Sequence, residues 1–391
     1  MTRNVFVFTI IAITQVAGWG VVGFLPVLAS SIADDLWTPL PTVFLGTTIF
    51  YATMGLTAPI IGTAFKRLGA RIVMVAGAML IGVGLALLSV SGATFSFLSL
   101  WAVIGVGGAM FLTTAAYVYL SEFAHERARG LISSLMLITG LAGSVFWPLT
   151  AYLQQHFDWR GIIQIYAAAM ILIVLPMVLF GIPEARTRDE YSDAQQPATR
   201  KDGTFWLLVT AIALNGFVTY GMESIGIELF RALGADAVWA VGMASFLGVL
   251  KVCGRLIDLA GGNRWSAVST GIVAGAMIPS GLLVIVAFGP SPVAVVASLL
   301  LFGVGSGAFA VARATMPLVF FKKAEYAAAM SVIALPLNMT SALAAPVLSG
   351  ILTISGPSMT LLLLVIFSVP AWCVLLRLGS LTRTHSMSAI N

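Results

Sequence analysis

Apolar runs of about 20 residues follow one another along almost the whole chain, and they limit the possible fold more than any other feature. A helix of this length crosses the hydrocarbon core of a bilayer, and a helix keeps its backbone groups hydrogen-bonded there. None of the runs shows the alternation of a barrel strand. Twelve runs occur, at residues 5–29, 40–64, 71–91, 95–119, 130–153, 161–182, 204–228, 238–262, 265–288, 292–318, 326–352 and 358–377. The sequence therefore predicts an all-α membrane protein with twelve transmembrane helices, which we number as spans 1 to 12.

The composition agrees with this prediction. Hydrophobic residues make up 59% of the chain and charged residues 9%, against about 25% charged residues in an ordinary soluble domain. We expect a multi-pass protein of the cell membrane, of the bacterial inner-membrane type, embedded in the lipid bilayer. Cys253 and Cys373 both lie inside apolar runs, so we expect neither a disulfide framework nor a metal cluster, and no cofactor.

One long polar run, residues 183–203, divides the spans into two groups of six. Nine of its residues are charged, which is typical of a solvated linker. The flanking halves match at an offset of 198 residues, because the residues of 76–79 recur at 274–277 and those of 105–107 recur at 303–305. This offset indicates duplication of one large unit, and thus two parallel six-helix repeats. The predicted parts are an N-terminal bundle (1–182), a cytoplasmic linker (183–203) and a C-terminal bundle (204–391).

The distribution of Lys and Arg predicts the orientation. With the N-terminus inside, fifteen of these residues fall on the cytoplasmic side and only Arg160 and Arg231 fall outside. Both termini are therefore expected in the cytoplasm. The sequence pI near 9.4 then reflects topology, and we expect no nucleic-acid partner.

Three cations lie inside spans: Lys251 and Arg255 in span 8, and Arg313 in span 10. Each such charge costs about 2.5–3.5 kcal/mol on insertion scales. Lys251 and Arg255 are four residues apart and so share a helical face. Arg255 reaching the headgroups or pairing with Asp258, and Arg313 bonding a carbonyl of another helix, are alternatives. A basic patch in a water-filled cavity satisfies all three charges at once, and it predicts an anion-binding site.

Other polar residues extend the predicted site. Glu223, in span 7, is a candidate to carry a proton or to neutralise a cation, and a structural ion pair is an equally open alternative. Gln15, Trp19, Tyr117 and Asn338 are candidate walls of the substrate site, although core packing or an interfacial position is the alternative for the aromatic residues. We find neither a nucleophile–base pair nor a metal-ligand cluster, so an enzyme is not expected.

Two repeats of six spans resemble the major facilitator superfamily. The loop from Gly62 to Arg71 is similar to its G-x-x-x-D-R-x-G-x-R signature, with Lys66 in the place of the acid. Within the superfamily, residues 17–20 (Ala-Gly-Trp-Gly) and the pair Lys251 and Arg255 resemble motifs of the monocarboxylate-transporter-like, or oxalate/formate antiporter-like, branch. That branch has an acid at the positions of residue 17 and residue 251. The resemblance implies that Arg255 binds a substrate carboxylate.

These features predict a secondary active transporter that works by alternating access, in symport or antiport. No Walker motif is present, so an ion or solute gradient supplies the energy. The expected substrate is a small, monocarboxylate-like organic anion held by Arg255, Arg313 and Lys251, with Glu223 as the residue that couples transport to a proton. We expect a monomer. The alternative is a proton-coupled exporter of amphipathic drugs or other small molecules, which would also use Glu223.

Overall fold

A computed structural model describes residues 2–124, 128–184, 203–261, 265–320 and 323–388. Within these residues the chain forms helices and no strand. By their contacts the residues group into two compact units, Met1–Asp193 and Ala194–Asn391. Most of the predicted linker, residues 185–202, lies outside the described part, so the predicted domain boundaries stay a prediction.

The described residues of the first unit form ten α-helices that account for six spans. In chain order they are α1 (Thr2–Val22), α2 (Leu25–Asp35), α3 (Leu40–Leu68), α4 (Ala70–Ser89), α5 (Thr94–Phe111), α6 (Thr113–Ala124), α7 (Ala128–Thr139), α8 (Ala142–Leu153), α9 (Trp159–Ala169) and α10 (Leu175–Gly181). A five-residue π-helical segment joins α9 to α10. Spans 1, 4 and 5 are therefore each interrupted, where the sequence predicts continuous helices.

Long-range hydrogen bonds stabilise the interruptions of spans 1 and 4. The first lies at Gly23, between α1 and α2, and the indole Nε1 of Trp147 donates to the Gly23 carbonyl oxygen at 3.0 Å. A carbonyl released from the helical pattern thus finds a donor on α8, as backbone groups in lipid require. The Asp158 carboxylate caps the start of α9, where it accepts a hydrogen bond from the Gly161 amide at 2.8 Å.

The second unit is built from longer helices. They are α11 (Gly203–Ala232), α12 (Ala237–Gly261), α13 (Ala267–Phe288), α14 (Pro292–Thr315), the short α15 (Pro317–Phe320) and α16 (Lys323–Ser388). Although α16 counts 66 residues, Gly356 interrupts it with φ 79° and ψ −179°. A positive φ of this kind favours glycine, which lacks a Cβ atom. Gly356 lies between predicted spans 11 and 12, so α16 supplies both spans, and the prediction of twelve spans is confirmed.

Both units pack their helices in the same pattern. In the first, α5 packs against α3 and α4, and α4 packs against α9; in the second, α14 packs against α12 and α13, and α13 packs against α16. Glycines 198 residues apart make equivalent contacts. A Cβ atom on Gly105 would lie 2.8 Å from the Phe50 carbonyl oxygen of α3, and one on Gly303 would lie 2.5 Å from Cβ of Leu250 in α12. The prediction of two six-helix repeats is confirmed.

Large apolar side chains cover much of the outer surface of each unit. Phe95 in the first unit is 83% exposed and Ile354 in the second is 86% exposed. Apolar surface of this extent marks contact with another protein or with a membrane, and the described helices include stretches of 18 or more residues that are apolar enough to cross a bilayer. The protein therefore crosses the membrane many times.

Candidate functional site

A polar cleft opens between α11, α12 and α14 of the second unit. Its empty volume is about 420 Å³, which includes space open to the solvent. Its lining comprises Gly216, Thr219, Tyr220, Glu223, Lys251, Arg255, Ser306, Phe309, Ala310 and Arg313. All three cations that the sequence places inside spans are present, and Glu223 is the one carboxylate in this lining. The structure therefore brings four predicted residues into one place.

Two glycines position the cation-bearing helices. A Cβ atom on Gly307 of α14 would lie 2.0 Å from the Lys251 carbonyl oxygen, and one on Gly254 of α12 would lie 2.2 Å from the Val304 carbonyl oxygen. The two backbones are thus in direct contact, which only residues without a side chain permit. This contact places Lys251 next to the face of α14 that carries Arg313. The small residues Gly303 and Gly307, four apart, are the sequence signal that indicates it.

Lys251 has an ionic partner. Its Nζ donates to Oε1 of Glu223 on α11, and the Lys251 side chain is 10% exposed while that of Glu223 is 38% exposed. A nearly buried ammonium group is tolerated only when it is paired and hydrogen-bonded. Of the two open alternatives for Glu223, the structure thus contains the ion pair with a cation, and the role of proton carrier stays a prediction.

The two arginines lie on the cleft wall in different settings. The Arg313 guanidinium carbon is 5.9 Å from the centre of the Tyr220 ring, which is within range of a cation–π interaction. Arg255 follows Lys251 by one turn of α12 and is half-buried. The guanidinium group of Arg313 therefore lies near an aromatic face, and its N–H groups are donors that suit an anion.

Two of the candidates in the first unit, Gln15 and Trp19, contact the interruption between α5 and α6. Leu112 separates the two helices with ψ −157°. The side-chain amide of Gln15 donates to the Phe111 carbonyl oxygen at 2.7 Å, and the Trp19 indole Nε1 donates to Oγ1 of Thr113 at 2.9 Å. Residues of span 1 thus stabilise a break in span 4, and no proline or glycine at Leu112 signals that break in the sequence.

Not every predicted wall residue lies on an accessible surface. Gln15 is 0% exposed, so it lies in the core of the first unit. Trp19 and Tyr117 are half-buried, and the Trp19 ring stacks on Tyr51 at 6.4 Å between centroids. Asn338 is exposed on α16 and is absent from the lining of the cleft. The cleft instead contains Thr219, Ser306 and Phe309, which sequence reasoning missed.

The segment from Gly62 to Arg71, which the sequence predicts as a loop, is helical except for one residue. Gly69, with φ 80°, joins α3 directly to α4. Arg71 donates to the Leu179 carbonyl oxygen and pairs with Glu184 at 3.5 Å. The side chain of Lys66 lies outside the described part of the structure.

Comparison with known families decides which family these helices represent. The sequence model of the Major Facilitator Superfamily matches residues 8–284, which is more than two thirds of the chain. The chain belongs to the major facilitator superfamily. It is therefore a secondary transporter of a small-molecule substrate in a membrane, and not an enzyme. The oxalate/formate antiporter-like branch within the superfamily stays a prediction.

Solved structures of other major facilitators share the fold. A bacterial homologue of the human lysosomal transporter Spinster aligns with a TM-score of 0.76 at 15% identity, covering 97% of each chain. The nucleoside transporter NupG aligns with a TM-score of 0.74 at 12% identity, over 95% of this chain and 98% of that one. The human organic anion transporter MFSD10 aligns with a TM-score of 0.66 at 15% identity, over 94% and 98%. No curated protein sequence matches the chain.

Proposed function

We propose that this major facilitator carries a small, monocarboxylate-like organic anion by alternating access, and that the cleft between α11, α12 and α14 binds it. The observation that supports this proposal is the charge of the cleft. Lys251, Arg255 and Arg313 face one carboxylate, Glu223, in its lining. Ionisable groups at membrane depth are expensive and mark substrate or ion pathways, and an excess of cations attracts an anion from water.

The types of cation also favour a carboxylate. The planar guanidinium forks of Arg255 and Arg313 match the two oxygens of a carboxylate, whereas an ammonium group such as that of Lys251 is a compact point charge. Two of the neighbouring hydroxyl groups already act as donors within the protein, since Ser306 donates to the Gly303 carbonyl oxygen and Thr219 to the Asn215 carbonyl oxygen. Binding energy for the anion therefore comes from the cations. In the first unit, Trp19 and Tyr117 remain candidate contacts.

The ion pair between Glu223 and Lys251 offers a route to proton coupling. The substrate carboxylate and Glu223 are alternative partners for the Lys251 ammonium group. When the anion binds Lys251, Glu223 loses its ionic partner, and we infer that its carboxylate then takes up a proton in place of the ammonium group. Anion and proton binding are then coupled, and both move in the same transport step.

Purified protein in liposomes tests the substrate class. With an inward proton gradient, we expect accumulation of a labelled monocarboxylate, weaker or no accumulation of a neutral nucleoside, and none of a cationic amphiphile. The nucleoside and the amphiphile represent the competing substrate classes. Accumulation of the cationic amphiphile without any carboxylate or other organic anion would instead support the drug-exporter alternative and overturn the anion assignment.

Glu223→Gln tests the coupling step. We expect this variant to bind the anion about tenfold more tightly, because Lys251 no longer has a competing carboxylate, and to lose the dependence of uptake on the proton gradient. Anion-dependent thermal stabilisation measures the affinity, and uptake with and without a pH difference measures the coupling.

Glu228→Gln is the matched control. Glu228 lies on the same helix but pairs with Arg231 at 3.2 Å and is not part of the cleft. This variant is expected to keep the affinity and the proton dependence of the unmodified protein. If Glu223→Gln also keeps both, Glu223 is not the coupling residue.

A further inference from the structure

A second pocket in the second unit lies between the end of α12, the first half of α13 and α14. Its empty volume is about 650 Å³, which includes space open to the solvent. It shares no lining residue with the cleft. Its lining comprises Ile257, Asp258, Trp265, Ser269, Thr270, Val273, Ala274, Met277, Val304 and Ala308. Most of these side chains are apolar, and the polar ones gather at one end.

Positions along the helices give the pocket a direction. At 1.5 Å per residue, Asp258 lies about 5 Å from the end of α12, and Thr270 lies about 5 Å from the start of α13. Met277 lies about 15 Å from that start, and Val304 lies about 16 Å from the end of α14. The polar end thus coincides with the helix ends, near the edge of the hydrocarbon core, and the apolar end lies deeper. An amphiphile in a bilayer has this same arrangement.

Two polar groups at the shallow end lack partners. The Thr270 hydroxyl is buried, in a residue that is 9% exposed, and it forms no hydrogen bond with the described residues. Asp258 forms no ion pair or hydrogen bond within the described part of the chain. A buried hydroxyl without a partner is unfavourable, so a ligand that hydrogen-bonds to Thr270 would gain stability from that contact.

We propose that this pocket binds an amphiphile with an ammonium head and an apolar tail. The head lies between the Asp258 carboxylate and the Thr270 hydroxyl oxygen, both of which accept from N–H groups, and the tail lies along Met277 and Val304. Mostly apolar walls with a few convergent polar groups are typical of small-molecule sites. The proposal does not depend on the anion cleft. A soluble lipophilic amine and phosphatidylethanolamine of the bilayer both have this chemistry.

Trp265 makes the binding measurable. The protein in phosphatidylcholine nanodiscs is titrated with dodecylamine that carries a spin label on its chain, and the signal is the fluorescence of the unmodified protein minus that of Trp265→Phe. We expect saturable quenching of this difference. The N-acetylated analogue of the probe, which has no charge, is expected to bind at least tenfold more weakly.

Two variants test the assigned head group contacts. Asp258→Asn is expected to weaken binding of the labelled amine at least tenfold, because it removes the charge and keeps the shape. Thr270→Val is expected to weaken it about fivefold without lowering the thermal stability, since its hydroxyl has no hydrogen-bond partner among the described residues to lose. Asp34→Asn, at an exposed acid of the first unit, is the control and is expected to bind like the unmodified protein.

Lipid composition distinguishes the two sources of the ligand. When phosphatidylethanolamine replaces part of the phosphatidylcholine, a weaker apparent affinity for the probe identifies the lipid as the occupant, and an unchanged affinity favours a soluble amine. Absence of saturable quenching, or equal binding by the neutral analogue and by Asp258→Asn, would overturn the proposal. Anion uptake plays no part in these measurements, so their outcome is separate from that of the proposed transport function.

Discussion

Arg313→Gln is expected to lower anion uptake at least a hundredfold while the protein remains folded. Arg313 lies over the Tyr220 ring and lines the cleft with Lys251 and Arg255. In the proposed anion site, loss of its fork removes two charge-assisted hydrogen bonds to the substrate, each worth about 1.5–3 kcal/mol, and every 1.4 kcal/mol corresponds to about a tenfold change in affinity. Initial rates of uptake into liposomes measure the effect.

Thermal stability separates a substrate contact from a structural role in this variant. A neutral side chain is easier to bury than an arginine, so Arg313→Gln is expected to melt no lower than the unmodified protein. Arg313→Lys keeps the charge but loses the planar fork and is expected to fall in between, with about a tenfold loss. Arg231→Gln, at an exposed arginine that pairs with Glu228 outside the cleft, is the control. Uptake by Arg313→Gln within threefold of the unmodified rate would contradict the assigned role.

Gly307→Ala is expected to destabilise the second unit and to abolish transport. The added Cβ atom would lie 2.0 Å from the Lys251 carbonyl oxygen, and a backbone atom inside a packed helix pair has no free space into which to move. Overpacking of this kind costs about 1–3 kcal/mol or more. The same displacement moves Lys251 relative to Glu223 and Arg313, so that the cleft loses its geometry. The midpoint of thermal unfolding in detergent and anion uptake are the two measurements.

Gly242→Ala is the matched control for this prediction. Gly242 lies in α12, one of the two helices in contact, but an added Cβ atom would meet nothing within 4 Å. Alanine is a better helix former than glycine by about 1 kcal/mol, so the control is expected to be as stable as the unmodified protein or slightly more so. Equal midpoints for the two variants would show that the contact between α12 and α14 is not tight.

The spans could be predicted from the sequence because the hydrocarbon core favours apolar side chains at almost every position of a helix that crosses it. A local run of apolar residues therefore suffices, and the duplication at an offset of 198 residues suffices for the two repeats. The interruptions inside spans could not be predicted in this way. The break at Leu112 is stabilised by Gln15, which is 96 residues from the carbonyl that it binds, and a local pattern holds no information about such a partner.

The part of the candidate site that lies on one helix could also be predicted from the local sequence. Lys251 and Arg255 share a face because they are four residues apart on one helix, which the sequence shows directly. That Arg313 joins them depends on the contact between α12 and α14. For Glu223 an ion pair was one of the open alternatives, and the sequence did not identify Lys251 as its partner. Asn338 shows the converse, since a polar residue inside a span is exposed on α16 and absent from the cleft.

Insertion of the chain during synthesis is also affected by the ion pair between Glu223 and Lys251. Helices α11 and α12 are consecutive, and only residues 233–236 separate them. A lysine that enters lipid alone near the middle of a helix costs about 2.5–3.5 kcal/mol. If the two helices leave the translocation machinery as one hairpin, the Glu223 carboxylate, which is synthesised first, can pair with the Lys251 ammonium group as soon as α12 enters the bilayer. Each charge thus helps its neighbour into the bilayer before any later helix of the unit has been synthesised.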